Sequence, residues 1–310
     1  MEEVLSRRVC EELLEMLRAQ QDGRSRSAIL RSITRCIYLM DAKNPTCSPE
    51  HVQLVASCLH DQDRDTQIQA LNTLRAFATQ SLFTAQIQDY YPKILDLVVS
   101  SRDEEVQVAA LRLLNALPVP PNIAPLLRRA VPNLVGFLQW DNTTIQVRCP
   151  PAPGGDPPPD TVPTLPAASP VFLQLQVLRL LITLSRKEEL LPDILNCQVQ
   201  PEFLSLMNNS QPAKLLCEML ALVEVLHGGC AKPRRPSKSP QSGSCSLYEV
   251  LFGENSHLAD HLLVMFVHPE ESVQLHACRL IMSLQLYKLD MEIAAGALSK
   301  HVSPASKPVF

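Results

Sequence analysis

The stretch that decides the fold is DTQIQALNTL at residues 65–74, because the chain repeats its pattern. The other copies, one of them in two pieces, are EVQVAALRLL (105–114), TTIQ (143–146) with LQVLRLL (175–181), and SVQLHACRLI (272–281). Each copy places a Gln ahead of apolar residues at helical spacing. Ile68 precedes its counterpart Val108 by 40 residues. Helical units that recur about every 40 residues predict an α-solenoid, in which each unit buries its apolar face against the next.

A second repeated feature, a proline that recurs after 40 residues, supports the same repeat unit. Pro92 begins YPKILDLVVS and Pro132 begins VPNLVGFLQW, and a proline is well tolerated in the first turn of a helix. Each of these helices leads to a polar turn, whose Asp or Ser is predicted to cap the Gln-containing helix that follows. The span between Leu74 and Pro92 leaves room for one more short helix. Three helices per unit predict an all-α, armadillo-type α-solenoid.

Composition limits the class of protein. The 310 residues are 46% apolar and carry a net charge of −4, so no overall basic field favours nucleic acid. None of the ten cysteines forms a C-x-x-C pair, which argues against a zinc ribbon. The N-terminal segment is amphipathic and charged, and no apolar run reaches the ~20 residues of a membrane span.

Changes of composition divide the chain into segments. We predict an N-terminal helix, armadillo repeats interrupted by a Pro-rich insertion, a basic Ser/Pro loop, a last repeat and a tail. The segments in order are 1–23, 24–146, 147–174, 175–228, 229–245, 246–288 and 289–310.

The insertion at 147–174 contains 9 prolines in 28 residues and no helical periodicity, so we expect it to be disordered. Its removal joins TTIQ to LQVLRLL in one amphipathic helix and restores the repeat length. We therefore interpret it as a retained intron or an alternative exon. A natural surface insertion is the alternative.

Candidate catalytic and metal-binding residues are few. Asp61, Asp63 and Asp65 resemble the start of a calcium loop, but the Gly and Glu that an EF-hand needs are missing, so we interpret them as a turn between helices. His257 and His261 lie four residues apart, but no catalytic Glu follows the first, so we interpret them as an exposed helix face. The sequence predicts no catalytic site, no metal site and no cofactor.

The residues predicted to contact a partner lie on the Gln-containing helices. Armadillo proteins that bind extended peptides carry a ladder of Asn residues there. The equivalent positions here are Asn115, Arg75, Ile182 and Met282. One Asn does not make a ladder, so we expect binding through side chains, with Arg75, Arg112 and Asn115 as the contacts.

A basic run, KPRRPSK, lies in the predicted loop at 229–245. Its charged residues, Lys232, Arg234, Arg235 and Lys238, form a candidate nuclear-import patch. This run supports an alternative function, that of a soluble nuclear or cytosolic adaptor that binds a chromatin or trafficking partner.

Longer phrases carry a more specific resemblance. They are SITRCIYLMDA (32–42), QIQALNTLRAF (67–77), LRLLNALPVP (111–120), LLPDILNCQV (190–199) and SLYEVLFGENSHLADHLL (246–263). On these phrases the chain resembles the family of armadillo-repeat-containing protein 10 and its X-linked relatives. The resemblance covers residues 24–285 apart from the insertion.

The resemblance implies a non-enzymatic armadillo protein of the mitochondrial outer surface. The resemblance extends to a male-germline member of the group that is implicated in arranging mitochondria around the sperm midpiece. The implied partners are mitochondrial outer-membrane proteins and sperm midpiece proteins, and self-association is a further option. Family members carry an apolar N-terminal membrane segment, whereas this sequence begins MEEVLSRRV. We therefore expect an indirect association with the membrane, unless the gene model begins late.

Overall fold

The computed structural model describes residues 2–20, 22–39, 47–139, 170–229 and 245–300. The chain divides into two compact units, Met1–Cys197 and Gln198–Phe310.

The first unit is built from helices. They are α1 (Glu2–Ala19), α2 (Gly23–Leu39), α3 (Pro49–Ser57), α4 (Arg64–Phe77), α5 (Ser81–Gln88), α6 (Tyr91–Ser100), α7 (Glu104–Leu114), α8 (Ala124–Leu138), α9 (Pro170–Ser185) and α10 (Leu191–Leu195). A 3-10 turn at Cys58–His60 extends α3. Helix α5 is the short intervening helix that the sequence predicted.

One layer of this unit contains the Gln-containing helices. Helix α2 packs on α4, α4 on α7, and α7 on α9, while α3 packs on α4, α6 on α7 and α8 on α9. Leu71, Leu111 and Leu178 occupy the same position of three copies, and each is at most 1% exposed. Burying one such side chain contributes roughly 1.5–3 kcal/mol. The repeated apolar pattern therefore forms one continuous core within the unit.

The repeated Gln has a structural role. The Nε2 of Gln67 donates to the carbonyl of Asp61 at 2.8 Å, and that of Gln107 donates to the carbonyl of Ser101 at 2.7 Å. Gln274 in the second unit makes the same bond, to the carbonyl of a residue six positions earlier. The turn before each helix leaves a carbonyl without a main-chain partner, and the Gln supplies the donor. The Gln therefore fixes the turn to its helix.

Aspartates cap the helices as the turns predicted. The side chain of Asp63 accepts from the amide of Thr66 at 2.8 Å, and that of Asp103 accepts from the amide of Val106 at 3.0 Å. Arg64 also forms ion pairs with Asp103 and Glu105, which join the first turns of α4 and α7.

The prolines behave in two ways. Pro92 lies in the first turn of α6, as predicted. Pro132 does not begin a helix, because α8 begins at Ala124 and encloses it. The residues before it already form a helical stripe, since Leu127, Ala130 and Val131 are buried. The apolar packing of this first half outweighs the backbone hydrogen bond that Pro132 removes.

The predicted end of the insertion is also displaced. Helix α9 begins at Pro170, so residues 170–174 belong to it rather than to a disordered segment. Leu173 and Gln174 are buried, and the Nε2 of Gln174 donates to the carbonyl of Leu138 at 3.4 Å. Gln174 thus takes the place of the repeated Gln that the sequence assigned to Gln146. The rest of the predicted insertion lies outside the described residues.

The second unit contains a short ladder that the sequence did not predict. Strands β1 (Gln198–Val199) and β2 (Cys245–Ser246) pair antiparallel. Its helices are a 3-10 helix at Pro201–Leu206, α11 (Ala213–Gly229), α12 (Leu247–Phe252), α13 (Leu258–Phe266) and α14 (Glu271–Lys300). Helix α14 packs on α11 and α13, and a capping box between Ser246 and Glu249 begins α12.

Helix α14 is longer than predicted. The sequence assigned 289–310 to a tail, but the helix continues to Lys300. The added stretch contains three Ala and two Leu, both strong helix formers, and it lacks proline. Residues 301–310 lie outside the described part of the chain. Over the residues that the structure does describe, no helix is long and apolar enough to cross a membrane.

Candidate partner-binding site

Two arginines of neighbouring helices define the candidate site. Arg75 lies on α4 and Arg112 lies on α7, and both side chains are half-buried. Burial lowers the pKa of Arg112 from its ordinary value, and the positive charge of Arg75 lowers it further. The structure therefore brings together two of the three residues predicted to contact a partner.

Neither guanidinium has a carboxylate partner among the residues that the structure describes. The Nε of Arg75 is also buried without a hydrogen-bond acceptor there. A partly desolvated guanidinium with an unused donor is less stable than a paired one. An anionic group that contacted both side chains would offset this desolvation cost and would accept from the unused donor.

Aromatic side chains flank the arginines. The Cζ of Arg112 lies 5.8 Å from the ring centroid of Phe172, within the range of a cation–π interaction. Tyr38, at the end of α2, is 52% exposed and lies within electrostatic range of Arg112. The sequence did not identify these residues. Phe172 had been assigned to the insertion, and an exposed Tyr near a helix end gives no periodic signal.

Asn115 is placed differently from the two arginines. Its Nδ2 donates to the main-chain carbonyl of Gln176 at 3.0 Å and to the side-chain oxygen of Gln176 at 3.2 Å. Its Oδ1 is buried without a donor among the described residues. The amide nitrogen therefore joins α7 to α9, and the role of Asn115 as a partner contact stays a prediction.

The other equivalent positions offer no polar group. Ile182 is 9% exposed and belongs to the core of the first unit, whereas Met282, in the second unit, is 62% exposed. The four residues of the candidate import patch, Lys232, Arg234, Arg235 and Lys238, lie outside the described residues.

The acidic turn and the histidines have ordinary structural partners. Asp61 accepts from Arg26 at 2.5 Å, and its Oδ1 holds the amide of Asp63. The Nδ1 of His261 lies 3.0 Å from the carbonyl of Met207, and exposed His257 pairs with Asp260. Across the described ranges, no group of three or more His, Cys, Asp or Glu side chains could hold a metal ion.

The chemistry of the site is that of recognition. Each guanidinium offers up to five N–H donors and does not lose its proton in proteins. Arg75 and Arg112 can therefore bind and orient an anion, but they cannot exchange a proton with it. The surrounding aromatic rings suit apolar groups beside that anion.

Comparison with known proteins gives the family context. A family profile described as Armadillo-like matches residues 10–149. Armadillo repeat-containing protein 12 of Mus musculus is 41% identical over 273 residues, which are 88% of this chain and 72% of the mouse protein. Armadillo repeat-containing protein 12 of Homo sapiens is 40% identical with the same coverage.

Solved structures resemble the fold. Two crystal structures of engineered proteins match with TM-scores of 0.55 and 0.56 at 16% and 15% identity. They cover 88% and 89% of this chain and 97% and 96% of their own chains. A designed armadillo repeat protein matches with a TM-score of 0.53 at 12% identity and covers 88% of this chain and 98% of its own. At this identity the likeness shows the all-α armadillo fold alone.

Proposed function

Because this chain belongs to the armadillo repeat-containing protein 12 family, we propose that it is a non-enzymatic scaffold at the cytoplasmic face of the mitochondrial outer membrane. In this proposal it binds partner proteins and positions or tethers mitochondria while the sperm mitochondrial sheath forms. The armadillo fold supports protein–protein interaction in general. The mitochondrial and germline parts rest on the resemblance of the quoted phrases to the wider family.

The observation that carries the scaffold role is the pair Arg75 and Arg112. Both are half-buried on adjacent stacked helices, and neither is paired with a carboxylate in the described part of the chain. Arginine is almost never fully buried without a partner, and partial burial of an unpaired charge already has a desolvation cost. Arg is also among the residues that contribute most energy to protein interfaces. These features fit a surface that is completed by a partner.

The proposed partners are mitochondrial outer-membrane proteins and other sperm midpiece proteins. Membrane association is then indirect, through these partners. Proximity labelling with the full chain in male germ cells tests this proposal. Enrichment of outer-membrane proteins supports it, whereas labelling of nuclear or general cytosolic proteins without mitochondrial ones contradicts it.

A charge-reversal experiment tests the binding surface. Arg75→Glu with Arg112→Glu should abolish co-precipitation of the labelled partners, while the thermal melting curve stays close to that of the wild type. The matched control reverses Arg102 and Arg129, which are exposed and have no ion pair among the described residues. This control changes the net charge equally and should retain the partners. Equal loss in both variants would contradict the proposed surface.

Imaging of a tagged chain distinguishes the mitochondrial scaffold from the alternative function of a nuclear or cytosolic adaptor. A tagged chain should form mitochondrial rings. Nuclear signal that disappears in Arg234→Ala with Arg235→Ala would instead support the nuclear adaptor.

A further inference from the structure

The helical layer that carries Arg75 and Arg112 has a one-sided charge. Helix α2 and the stretches 67–88, 106–139 and 170–187 contain no Asp or Glu. The acidic residues within α4 and α7 are confined to the first turns of these helices, where Asp65 and Glu105 pair with Arg64. The helices of the layer carry the arginines Arg24, Arg26, Arg31, Arg35, Arg64, Arg75, Arg112 and Arg179, whereas Arg128 and Arg129 lie on α8, outside it. Away from the turns, the layer is therefore purely basic.

Within this layer, Arg75 and Arg112 are the pair that an anion would stabilise most. Their like charges lie on adjacent helices in a partly desolvated setting, which raises their mutual repulsion. One carboxylate between them can accept from both guanidiniums, because each presents several donors. Arg26, by contrast, already has Asp61, and Arg128 already has Asp193.

The flanking residues limit the shape of a ligand. Tyr38 on α2 and Phe172 on α9 lie at the two ends of the row of stacked helices, with the arginines between them. The axes of neighbouring packed helices are about 9 Å apart, so the axes of α2 and α9 are at most about 27 Å apart. An extended chain of at most about eight residues covers that distance. The site therefore suits a short peptide with acidic residues at its centre and apolar or aromatic residues towards its ends.

Resting on the proposed scaffold function, we propose that Arg75 and Arg112 bind the carboxylate of an acidic segment in the partner protein. Tyr38 and Phe172 contact apolar side chains on either side of that carboxylate. The carboxylate bridges the two guanidiniums and supplies the acceptor that Arg75 Nε lacks. Nucleic acid is a poorer fit, since the chain has a net charge of −4 and the phosphates would meet only a short basic row.

Peptide selection tests the chemistry of the site directly, with random peptides as the probe. Peptides of about 12 residues, displayed on phage, are selected on the purified full chain and on the Arg75→Glu, Arg112→Glu variant; this length exceeds the span of the row. We expect Asp and Glu to be enriched on the wild type, next to aromatic or large apolar residues, and not on the variant. The Arg102→Glu, Arg129→Glu control should give the wild-type enrichment.

A selected peptide is then synthesised with Glu or with Gln at its acidic positions, and its affinity is measured by fluorescence anisotropy. Replacing the carboxylate, or reversing the two arginines, should weaken binding about tenfold or more, and rising salt should weaken it progressively. Circular dichroism checks that the variants keep their helices.

The outcomes separate this inference from the scaffold function. If the wild type selects peptides without acidic residues and the double variant loses them, partner binding at the site stands and the acidic segment is overturned. Equal selection by wild type and variant overturns both. A third variant, Asp156→Asn with Asp160→Asn, tests whether acidic residues of the chain itself occupy the site. An affinity gain of about tenfold in that variant would overturn binding of a separate partner.

Discussion

The Nδ2 of Asn115 donates to the main-chain carbonyl of Gln176 at 3.0 Å, and it lies 3.2 Å from the side-chain oxygen of the same residue. These bonds connect α7 to α9, two helices of successive repeats. In sequence terms Asn115 resembles a peptide-binding Asn, yet its donor is used inside the fold. Its first effect is therefore on stability.

Asn115→Leu should lower the free energy of unfolding by about 1–3 kcal/mol, because it removes the two hydrogen bonds that join α7 to Gln176 of α9. Urea denaturation measures the change. Asn72→Leu is the control, since the Asn72 amide has no hydrogen bond among the described residues, and it should change stability little. A loss of partner binding without a loss of stability in Asn115→Leu would contradict this structural role.

Gln67→Met should destabilise the first unit by about 1–2 kcal/mol, because the Asp61 carbonyl loses the donor that fixes the turn to α4. Gln69→Met in the same helix is the matched control, since no hydrogen bond of its side chain occurs in the described part of the chain. Thermal melts followed by circular dichroism compare the two variants. Equal melting temperatures would show that the repeated Gln is not needed for stability.

Ionisation of Asp103 should make the free energy of unfolding depend on pH in the acid range. Burial opposes ionisation of its carboxyl, but the hydrogen bonds from Arg64 and from the amide of Val106 outweigh it and hold the pKa below 3.8. The ionised form is favoured in the folded state, so its stabilisation is complete above 3.8 and is lost as the pH falls through the folded pKa.

Asp103→Ala should therefore cost about 1–2 kcal/mol near neutral pH, and the difference from the wild type should shrink in acid. Urea denaturation across this pH range measures both. Asp96→Asn serves as the control, because Asp96 is exposed and pairs with Lys93. Its difference in free energy of unfolding from the wild type should not shrink in acid. A difference that stays constant down to the lowest pH would exclude this ionisation as the cause.

His227 should make the stability of the second unit fall in the same direction, with acid, but at a higher pH than Asp103 does in the first unit. Burial lowers the pKa of its imidazole below 6.5, so the folded state favours the neutral ring. The unfolded chain then binds the proton more readily. The free energy of unfolding should fall as the pH drops below 6.5, by at most about 1.4 kcal/mol per pH unit. His227→Leu should remove this slope, whereas His257→Gln, at an exposed residue, should retain it. Hydrogen exchange of the α11 amides measures the effect locally.

Arg112→Met should leave the free energy of unfolding unchanged or raise it by about 0.5–1 kcal/mol, because it removes a half-buried charge that faces Arg75. The same variant should lose the co-precipitated partners. Chemical denaturation and pull-down are carried out on one preparation. A clear fall in stability would show that the arginine supports the fold through Phe172, and the binding role would then lose its main argument.

Much of the fold could be predicted because its signals are local. The repeated Gln with its apolar positions located α4, α7 and α14, and the acidic turns located the caps at Asp63 and Asp103. Helix propensity, periodicity and capping depend on residues a few positions apart. Pro132 misled the prediction, because a local breaker was outweighed by packing along the whole of α8.

The candidate site was predicted in part. Arg75 was identified from its register and Arg112 as a residue near these positions, but the lack of carboxylate partners among the described residues became visible only in the structure. Phe172 was not predicted, because the sequence that precedes it is proline-rich and was assigned to the insertion. In the structure it lies in α9, which packs against α7 and α8.

By itself the sequence determined the repeat, its helical class and the acidic caps of α4 and α7, since these follow from the spacing of residues along one chain. Only the tertiary structure decided which polar groups have a hydrogen-bond or charge partner within the described part of the fold and which do not. Asn115 donates to Gln176, whereas Arg75 acts on Arg112 only through its like charge, and neither arginine has a carboxylate partner among the described residues. The reason is that desolvation and hydrogen bonding depend on neighbours in space, which for these residues come from another repeat.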